Sequence, residues 1–502
     1  MTELHFKSAL DIAADIRAKR VSAAEALEHF VRRMETHNPK LNAIVQTDLE
    51  VARADAETAD AALAQGDILG PLHGVPMTLK ESFNLKGLPT TWGDPAFKDN
   101  IAGEDALAAR RFKAAGAVIF GKTNVPLMLA DMQTYNAVYG TTNNPWAEGV
   151  TPGGSSGGAV AALAAGMTGL EAGSDIGSSI RSPAHYCGVF GHKPTYGVLP
   201  PRGHALPGGY AFSDISVIGP LARSARDLET AFGVMAGPEA MEGVAWKFEP
   251  PPPRRRTLKG LRVAVMYSSP TCETDAEYGE RLHDVVEFMA REGAYVDDAA
   301  MPKIDPISAH RLFVKMLRAA TSGRQPEALV QQNIRDVETL QPDDNGYYAL
   351  MARGNVIRHR DWLKLHNERF AWDAFFKDWD VLLCPVASGA AFPQNEAGQR
   401  WERMLPVNGR EAPQTDQLFW AGWNGLAGLP ASRSAVKVAS PKSSSRRKPA
   451  ALSAASTAGT LRPAVRRIAA TPRNGPTASF AGGASISMAV FAPWPSGAVS
   501  RA

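Results

Sequence analysis

Two patterns of apolar residues alternate along the chain: the spacing of three to four residues that is typical of helices, and the short continuous runs that are typical of buried strands. Ser22 and Glu25 are placed as a capping box at the start of one helical stretch. The periods predict helices at residues 8–36, 49–65, 104–115, 159–170 and 276–292. Apolar runs predict strands at residues 41–45, 118–121, 261–266 and 380–385. Strands that alternate with helices indicate an α/β layered core.

Two changes in composition divide the chain. Four prolines at residues 250–253, followed by three arginines, are typical of a linker or crossing loop. Residues 250–400 are therefore predicted to be an insertion in, or a peripheral part of, one large domain that spans residues 1–432. Residues 433–502 are rich in Ala, Ser, Pro and Arg and show no period of a helix or strand. This tail is predicted to be disordered, with local order only around residues 485–493.

The charges are unevenly divided between these two parts. The net charge of the 502 residues is +3, but the tail carries 11 Lys and Arg residues, and no acid follows Asp416. Such a tail is an electrostatic footprint typical of nucleic-acid binding. The tail lacks interleaved aromatic residues, however, and residues 1–432 are net acidic. We therefore expect no nucleic-acid partner.

The cysteines and the N-terminal sequence bear on the compartment. Cys187, Cys272 and Cys384 are too widely spaced for a disulfide framework or a metal motif, and no cofactor is expected. The N-terminal sequence lacks the basic start and apolar run of a signal peptide, and no run of about 18 apolar residues occurs. We expect a cytoplasmic protein with no membrane partner.

Candidate chemistry lies in Lys80 and in two serine-rich glycine turns, residues 153–158 (GGSSGG) and 173–181 (GSDIGSSIR). They offer a nucleophilic hydroxyl, a second hydroxyl to relay a proton, and an amine as base, while glycines let backbone N–H groups approach an oxyanion. A flexible linker is one alternative for the first turn. A phosphate-binding loop is another, but Ala159 and Val160 stand where it needs Lys and Ser or Thr. The second turn alone could be an ordinary turn with Arg181 in a salt bridge.

Together with their flanks, the two turns resemble the amidase signature family of serine hydrolases. The flanks that agree are residues 121–124, 143–146, 187–188, 193–197 and 217–224. The resemblance covers about residues 8–432. It implies the fold of that family, an α/β fold with a single large mixed β-sheet flanked by helices.

The resemblance also implies roles for the site residues. Ser179 matches the nucleophile, Ser155 the bridging serine that follows a cis peptide, and Lys80 the base. The family's oxyanion hole is matched by four backbone N–H groups, those of Ile176, Gly177, Ser178 and Ser179. A lysine can act as a base only if burial disfavours its charge. The apolar neighbours of Lys80 suit this requirement, although Glu81 is adjacent.

One position departs from the family pattern. The family commonly has glycine where Ser178 stands, and a serine would strain the loop if φ is positive there. The departure also makes Ser178 a rival nucleophile. Cys187, His73 and His192 are predicted to be structural residues, because no base–orienter pattern or metal motif surrounds them.

The predicted function is that of an amidase, which hydrolyses a carboxylic amide to an acid plus an amine or ammonia through an acyl-enzyme. The glutamine-hydrolysing component of a tRNA-dependent amidotransferase stays open as an alternative, although residues 175–179 and 80–81 favour a stand-alone amidase. An impaired family member, or a non-catalytic binder that uses the basic tail, is a further alternative. The expected partner is a small-molecule amide, and a homodimer stays open.

Four residues are the main candidates for substrate binding, and Phe419 is an additional one. Leu129 and Ala130 match the family segment whose backbone faces the substrate, while Tyr135 and Trp423 are candidate wall residues, as is Phe419. No Arg or Lys suggests a carboxylate clamp, which favours an apolar or aryl acyl group.

The resemblance stops abruptly at Ser432. Family members continue with an apolar strand and a closing helix, which the tail does not match. Two hypotheses stay open: a natural divergent tail, and a change of reading frame near codon 432 that would leave the sheet without one strand.

Overall fold

The computed structural model describes residues 3–369, 375–437 and 485–491, with the backbone alone for residues 434–437 and 485–491. The strands are β1 (Ile44–Thr47), β2 (Pro76–Lys80), β3 (Val118–Thr123), β4 (Tyr135–Asn136), β5 (Gly140–Thr141), β6 (Glu171–Asp175), β7 (Phe190–Lys193), β8 (Val217–Ala222), β9 (Arg262–Val265), β10 (Tyr295–Asp297), β11 (Val381–Cys384), β12 (Met404–Val407), β13 (Arg410–Pro413), β14 (Ala431–Lys437) and β15 (Ser485–Phe491). The α-helices are α1 (Ala9–Arg17), α2 (Ala23–Leu41), α3 (Leu49–Ala64), α4 (Leu107–Ala114), α5 (Gly157–Ala164), α6 (Arg181–Cys187), α7 (Ala225–Met235), α8 (Ala276–Arg291), α9 (Pro306–Thr321), α10 (Glu327–Thr339), α11 (Tyr347–Asn355), α12 (His359–Glu368), α13 (Phe375–Asp378) and α14 (Leu418–Gly425).

The main sheet has eight strands in the order β10-β9-β11-β15-β14-β7-β8-β6. The pairs of β9 with β10 and with β11 are parallel, and the other pairs are antiparallel. The α/β fold with a mixed sheet and flanking helices is confirmed. Strands β9 to β11 come from the region predicted to be an insertion, and they belong to the same sheet as β6 to β8.

A second sheet of three strands, in the order β1-β3-β2, lies beside β6. Its strand β2 is linked to the segment before β6 by two backbone hydrogen bonds. Thr78 N donates to Leu170 O at 3.3 Å, and Gly169 N donates to Pro76 O at 3.0 Å. The end of β2 is therefore held next to the end of β6, which places Lys80 close to the second glycine turn.

The predicted helix starts agree with the structure better than the predicted ends. The capping box is present, since Glu25 N donates to Ser22 Oγ at 3.0 Å and Ser22 N donates to Glu25 Oε2 at 2.8 Å. The strand predicted from residue 41 begins only at Ile44, because α2 continues to Leu41. The chain turns there because the Asn38 side chain accepts the N–H groups of residues 43 and 44, both at 2.9 Å.

The helix predicted for residues 159–170 is also shorter than expected. It begins at Gly157 and ends at Ala164. Gly166 has φ +68°, a left-handed conformation that commonly stops a helix, and its N–H donates to Leu163 O at 3.1 Å. The chain is thus free to enter β6, which carries the residues of the second turn.

One part of the tail differs from the prediction of disorder, and another agrees with the local order predicted around residues 485–493. Residues 433–437 continue β14, and Ser485–Phe491 form β15, which pairs on one side with β11 and on the other with β14. Pairing of this kind uses backbone hydrogen bonds to two neighbouring strands. Amino-acid composition alone does not predict such pairing. Within the described residues, β15 fills the place between β11 and β14, so no strand is missing from that part of the sheet. The remainder of the tail lies outside the described residues, and its reading frame stays a hypothesis.

Among residues 3–369, 375–437 and 485–491, no helix combines the length and the hydropathy that a membrane crossing needs.

Candidate active site

Lys80 lies at the end of β2, where all five residues of the strand are buried. Its Nζ forms hydrogen bonds with Ser155 Oγ at 2.6 Å and with Ser174 Oγ at 2.9 Å. Ser155 belongs to the first glycine turn, and Ser174 belongs to β6. The structure therefore brings Lys80 and Ser155 together, and it adds Ser174, which the sequence analysis did not single out as a partner.

The surroundings of Lys80 favour its neutral form. Burial lowers the pKa of Lys80 to about 7, although the negative charges of Asp175, Glu171 and Glu81 act to raise it. Burial raises the pKa of Glu171 to about 8, even though that carboxyl accepts a hydrogen bond from Thr78 Oγ1 at 2.6 Å. A neutral amine has a lone pair that can accept a proton, so Lys80 can act as a base near neutral pH.

The first glycine turn is packed too tightly to be a linker. A Cβ atom on Gly157 would lie 2.2 Å from Thr134 Oγ1, and one on Gly158 would lie 2.3 Å from Asn124 N. The start of α5 therefore lies so close to Thr134 and Asn124 that only glycine, which has no Cβ, fits at these two positions. Ser155 is 1% exposed, and the peptide bond between Gly154 and Ser155 is cis.

A buried carboxylate organises the second glycine turn. Asp175 accepts hydrogen bonds from the N–H groups of Ser178 and Ile180, both at 3.0 Å. It also pairs with Arg181 through Nε at 3.0 Å and Nη2 at 2.8 Å. Burial acts to raise the pKa of Asp175, but the charge and hydrogen bonds of Arg181 lower it to about 2. The salt bridge that was an alternative explanation for Arg181 is therefore present inside the site.

The geometry of the second turn removes Ser178 from the predicted oxyanion hole. Its N–H is engaged by Asp175, and its hydroxyl accepts a hydrogen bond from Ser182 Oγ at 2.7 Å. Its φ is +78°, so the side chain stands where the backbone favours glycine. In the described part of the chain, the N–H groups of Ile176, Gly177 and Ser179 have no acceptor, and these three amides remain available to an oxyanion.

A cavity of about 620 Å³ opens onto these residues. Ser155, Ser174 and Ser179 line it together with Ile176 and Gly177, whereas Ser178 is absent from its described lining. Ser179, the predicted nucleophile, is 6% exposed. Such a cavity is large enough for a small-molecule substrate.

The structure separates the four candidate substrate-binding residues into two pairs. Leu129 and Ala130 line the cavity, and Leu129 has the unusual φ of +58°. Tyr135, Trp423 and Phe419 are absent from the described lining, so the structure does not support their role as wall residues. The Tyr135 hydroxyl bonds to Asp131 at 3.2 Å, while Trp423 is 2% exposed and stacks on Phe419. Tyr135 is thus one hydrogen bond away from a lining residue, Asp131, while the Trp423 ring is held by packing.

Several lining residues gave no signal in the sequence. They lie in segments that match neither glycine turn, and they include Trp92, His204, Leu317, Arg318, Arg324, Tyr347, Arg400 and Leu418. Burial lowers the pKa of His204 to about 3, and its Nε2 forms a hydrogen bond with Ser82 Oγ at 2.8 Å. The imidazole is therefore neutral. Only the packing of distant segments brings these side chains to the cavity.

The other candidate nucleophiles and bases are buried outside the described lining of the cavity. Burial raises the pKa of the Cys187 thiol, whose Sγ contacts Pro152 O at 3.6 Å. Burial lowers the pKa of His192 to about 4, and Nδ1 of that ring bonds to Ser432 Oγ at 2.8 Å. His73 Nδ1 accepts the N–H of Leu69 at 3.1 Å. These contacts agree with structural roles for all three residues.

The family model for Amidase matches residues 25–414. An indoleacetamide hydrolase of Bradyrhizobium diazoefficiens is 32% identical over 421 residues, which cover 83% of this chain and 76% of that protein. The A subunit of the glutamyl-tRNA(Gln) amidotransferase of Acidothermus cellulolyticus is 35% identical over 426 residues, covering 79% of this chain and 83% of that protein.

The fold agrees with the same assignment. The solved structure of a bacterial aryl acylamidase of the amidase signature enzymes superposes with a TM-score of 0.74 at 20% identity, covering 98% of this chain and 94% of that one. The matched region contains both glycine turns and Lys80. The chain therefore belongs to the amidase family and is a hydrolase that acts on amides.

Proposed function

We propose that this chain is a serine amidohydrolase for linear carboxylic amides, with Ser179 as nucleophile, Ser155 as proton relay and Lys80 as base. The observation that carries the proposal is the fully buried amine of Lys80, which forms a 2.6 Å hydrogen bond with Ser155 Oγ at the wall of the cavity. A serine hydroxyl is a weak nucleophile until a neighbouring base accepts its proton.

The proposed acylation step moves one proton along two hydroxyls. Ser179 Oγ forms a bond with the carbonyl carbon of the amide, its proton passes to Ser155 Oγ, and the Ser155 proton passes to Lys80 Nζ. The carbonyl oxygen becomes an oxyanion that accepts hydrogen bonds from the free N–H groups of the second turn, and these preorganised dipoles stabilise it. Collapse of this intermediate breaks the C–N bond, and the proton returns through Ser155 to the leaving nitrogen.

Deacylation repeats the same proton path with water. Water attacks the acyl-enzyme carbonyl while its proton moves through Ser155 to Lys80, and Ser179 leaves with the proton that returns. The products are the carboxylic acid and the amine or ammonia. Ser174 supports this cycle as a positioning residue, because its hydroxyl contacts Lys80 Nζ at 2.9 Å.

A second candidate function is glutamine hydrolysis within a tRNA-dependent amidotransferase. The 35% identity to a component of one such enzyme favours it. The residues at the second turn and after Lys80 favour a stand-alone amidase instead, as argued from the sequence. Release of glutamate from glutamine by the isolated chain, at a rate equal to that on simple amides, would favour the second function.

The nucleophile is tested by labelling with a serine-directed phosphonate, followed by peptide mass spectrometry. Ser179→Ala is expected to abolish both labelling and amide hydrolysis, because the covalent intermediate cannot form. Ser178→Ala is the matched control one residue away, and it is expected to retain labelling because its hydroxyl does not line the cavity. Full activity of Ser179→Ala would refute the assignment.

The finer statements about partners and compartment also remain proposals. We propose a small-molecule amide as the partner, with neither nucleic acid nor membrane required, and a cytoplasmic location. A homodimer stays open, and light scattering of the purified chain measures it.

A further inference from the structure

The wall of the cavity is rich in arginine, although the sequence analysis found no sign of a carboxylate clamp. Four arginines line it: Arg202, Arg318, Arg324 and Arg400. Asp131 is the one carboxylate among the described lining residues, and it already pairs with Arg403 at 2.8 Å. The described wall therefore carries more positive than negative charge.

Arg318 is the most deeply buried of these cations. It lies in α9, is 7% exposed, and its guanidinium contacts the hydroxyl and the ring of Tyr347. Its Nε has no hydrogen-bond partner among the described residues. Arginine stays protonated in proteins, and an isolated buried charge is costly. In the described part of the chain, no carboxylate offsets that cost.

Arg400 adds a second cation to the same part of the cavity. Both residues line this cavity, and the charge of Arg400 acts together with burial to lower the pKa of Arg318. Arg400 Nη1 donates to Ala130 O, and its Nε is buried without a partner within the described residues. Two guanidinium groups on the wall of one cavity, each with an Nε–H donor that no described residue accepts, have the chemistry to bind a planar anion.

These arginines line the same cavity as the predicted nucleophile, Ser179. Leu317 precedes Arg318 in α9 and lies against the second glycine turn, since a Cβ on Gly177 would be 3.9 Å from Leu317 Cδ2. Arg400 is bonded to Ala130, which also lines the cavity. An anion between the two arginines would therefore lie in the same cavity as Ser179.

We propose that Arg318 and Arg400 bind a carboxylate carried by the amide substrate, so that the enzyme acts on anionic amides. This inference rests on the proposed serine amidohydrolase function. The carboxylate can belong to the acyl part, as in a dicarboxylic acid monoamide, or to the amine part, as in an N-acyl amino acid. Both share the chemistry of a carboxylate held by guanidinium N–H donors.

The test compares matched substrates that differ only in the carboxylate. For the acyl side, glutaric acid mono-4-nitroanilide is compared with pentanoyl 4-nitroanilide. For the amine side, N-butanoyl-4-aminobenzoate is compared with N-butanoylaniline. The wild-type chain is expected to have a kcat/KM at least about tenfold higher for one anionic substrate than for its neutral partner, because charge-assisted hydrogen bonds stabilise it.

Arg318→Met is expected to lower kcat/KM for the anionic substrate by about 10- to 100-fold, with little change for the neutral one. Arg318→Lys keeps the charge without the planar fork and is expected to retain part of the preference. Arg400→Met repeats the test at a less buried position, in case loss of Arg318 prevents folding. Arg226→Met, at an exposed arginine outside the described lining, is the control and is expected to leave both substrates unchanged.

The neutral substrates separate the two proposals. Hydrolysis of the neutral substrates without a preference for either anionic one overturns the carboxylate site and leaves the serine mechanism intact. An equal loss on both substrates in Arg318→Met and Arg400→Met also overturns it. If no substrate is hydrolysed, the serine mechanism fails, and calorimetry with glutarate decides: binding that the arginine variants abolish supports the carboxylate site, and absence of binding overturns it.

Discussion

Replacement of Lys80 by methionine tests whether a buried neutral amine stands at the centre of the site. Methionine has nearly the length of the lysine side chain, so the buried space next to Ser155 stays filled. The change removes an amine whose charged form is disfavoured by burial. We expect Lys80→Met to abolish hydrolysis and, at the same time, to make the protein more stable towards unfolding.

The magnitude follows from the pKa of the folded state. Burial lowers the pKa of Lys80 from 10.5 to about 7. The unfolded chain therefore binds a proton that the folded chain gives up, which costs about 4 kcal/mol at pH 7. Loss of the hydrogen bonds to Ser155 and Ser174 offsets about 1–3 kcal/mol of this. Lys80→Met should thus raise the unfolding free energy by about 1–3 kcal/mol at pH 7.

The sign of the pH dependence distinguishes this cause from a simple packing effect. Between about pH 10 and pH 7 the unfolded state binds more protons, so the wild-type chain loses stability as the pH falls. The variant carries no such group. Its advantage over the wild type should therefore grow by about 1.4 kcal/mol for each unit that the pH falls in this range, and level off below pH 7.

Urea unfolding of both chains at several pH values between 7 and 9, followed by intrinsic fluorescence, measures the difference. Lys303→Met, at an exposed position, is the control and is expected to change the unfolding free energy by less than about 0.5 kcal/mol throughout. A difference between Lys80→Met and the wild type that is constant with pH would show that Lys80 keeps its proton. That result would refute the proposed base.

Two further predictions concern the pH profile and the second turn. With a neutral amide as substrate, kcat/KM is expected to fall about tenfold for each pH unit below about 7, because protonation of Lys80 removes the base, and a profile that is flat from pH 8 to pH 5 contradicts this. Asp175→Asn is expected to lower the unfolding free energy by about 3–5 kcal/mol, because Arg181 would keep a buried charge without its partner. Asp361→Asn, in an exposed ion pair with Arg358, is the control and should cost much less, so equal losses in the two variants would argue against the role of the buried pair.

The sequence predicted the elements whose cause is local. The capping box at the start of α2 depends on two side chains three positions apart, and the structure contains it. The end of the same helix depends on Asn38, whose side chain meets the following backbone only after the turn has formed. The predicted ends of the helices at residues 8–36 and 159–170 were therefore missed by five and six positions, while the other helix ends were predicted within one residue.

In the candidate site, too, short motifs predicted the residues, while the contacts between them depended on the fold. Lys80, Ser155 and Ser179 were selected from motifs, and the structure brings Lys80 and Ser155 into contact and places both serines on one cavity. The use of the Ser178 amide by Asp175 could not be predicted, because it depends on the path of the backbone within the turn.

The sequence by itself determined the family and the glycine turns, and it selected the candidate reactive side chains, because those depend on residue types within short motifs. Only the tertiary structure decided which distant residues share the cavity: it brought Ser174 to Lys80 and Arg318 to the wall, and it left Tyr135 and Trp423 out of the described lining. It also placed β15 between β11 and β14 from a tail whose composition predicts little order. The physical reason is that burial and contact between residues far apart in sequence depend on how whole elements pack, and no local pattern records that packing.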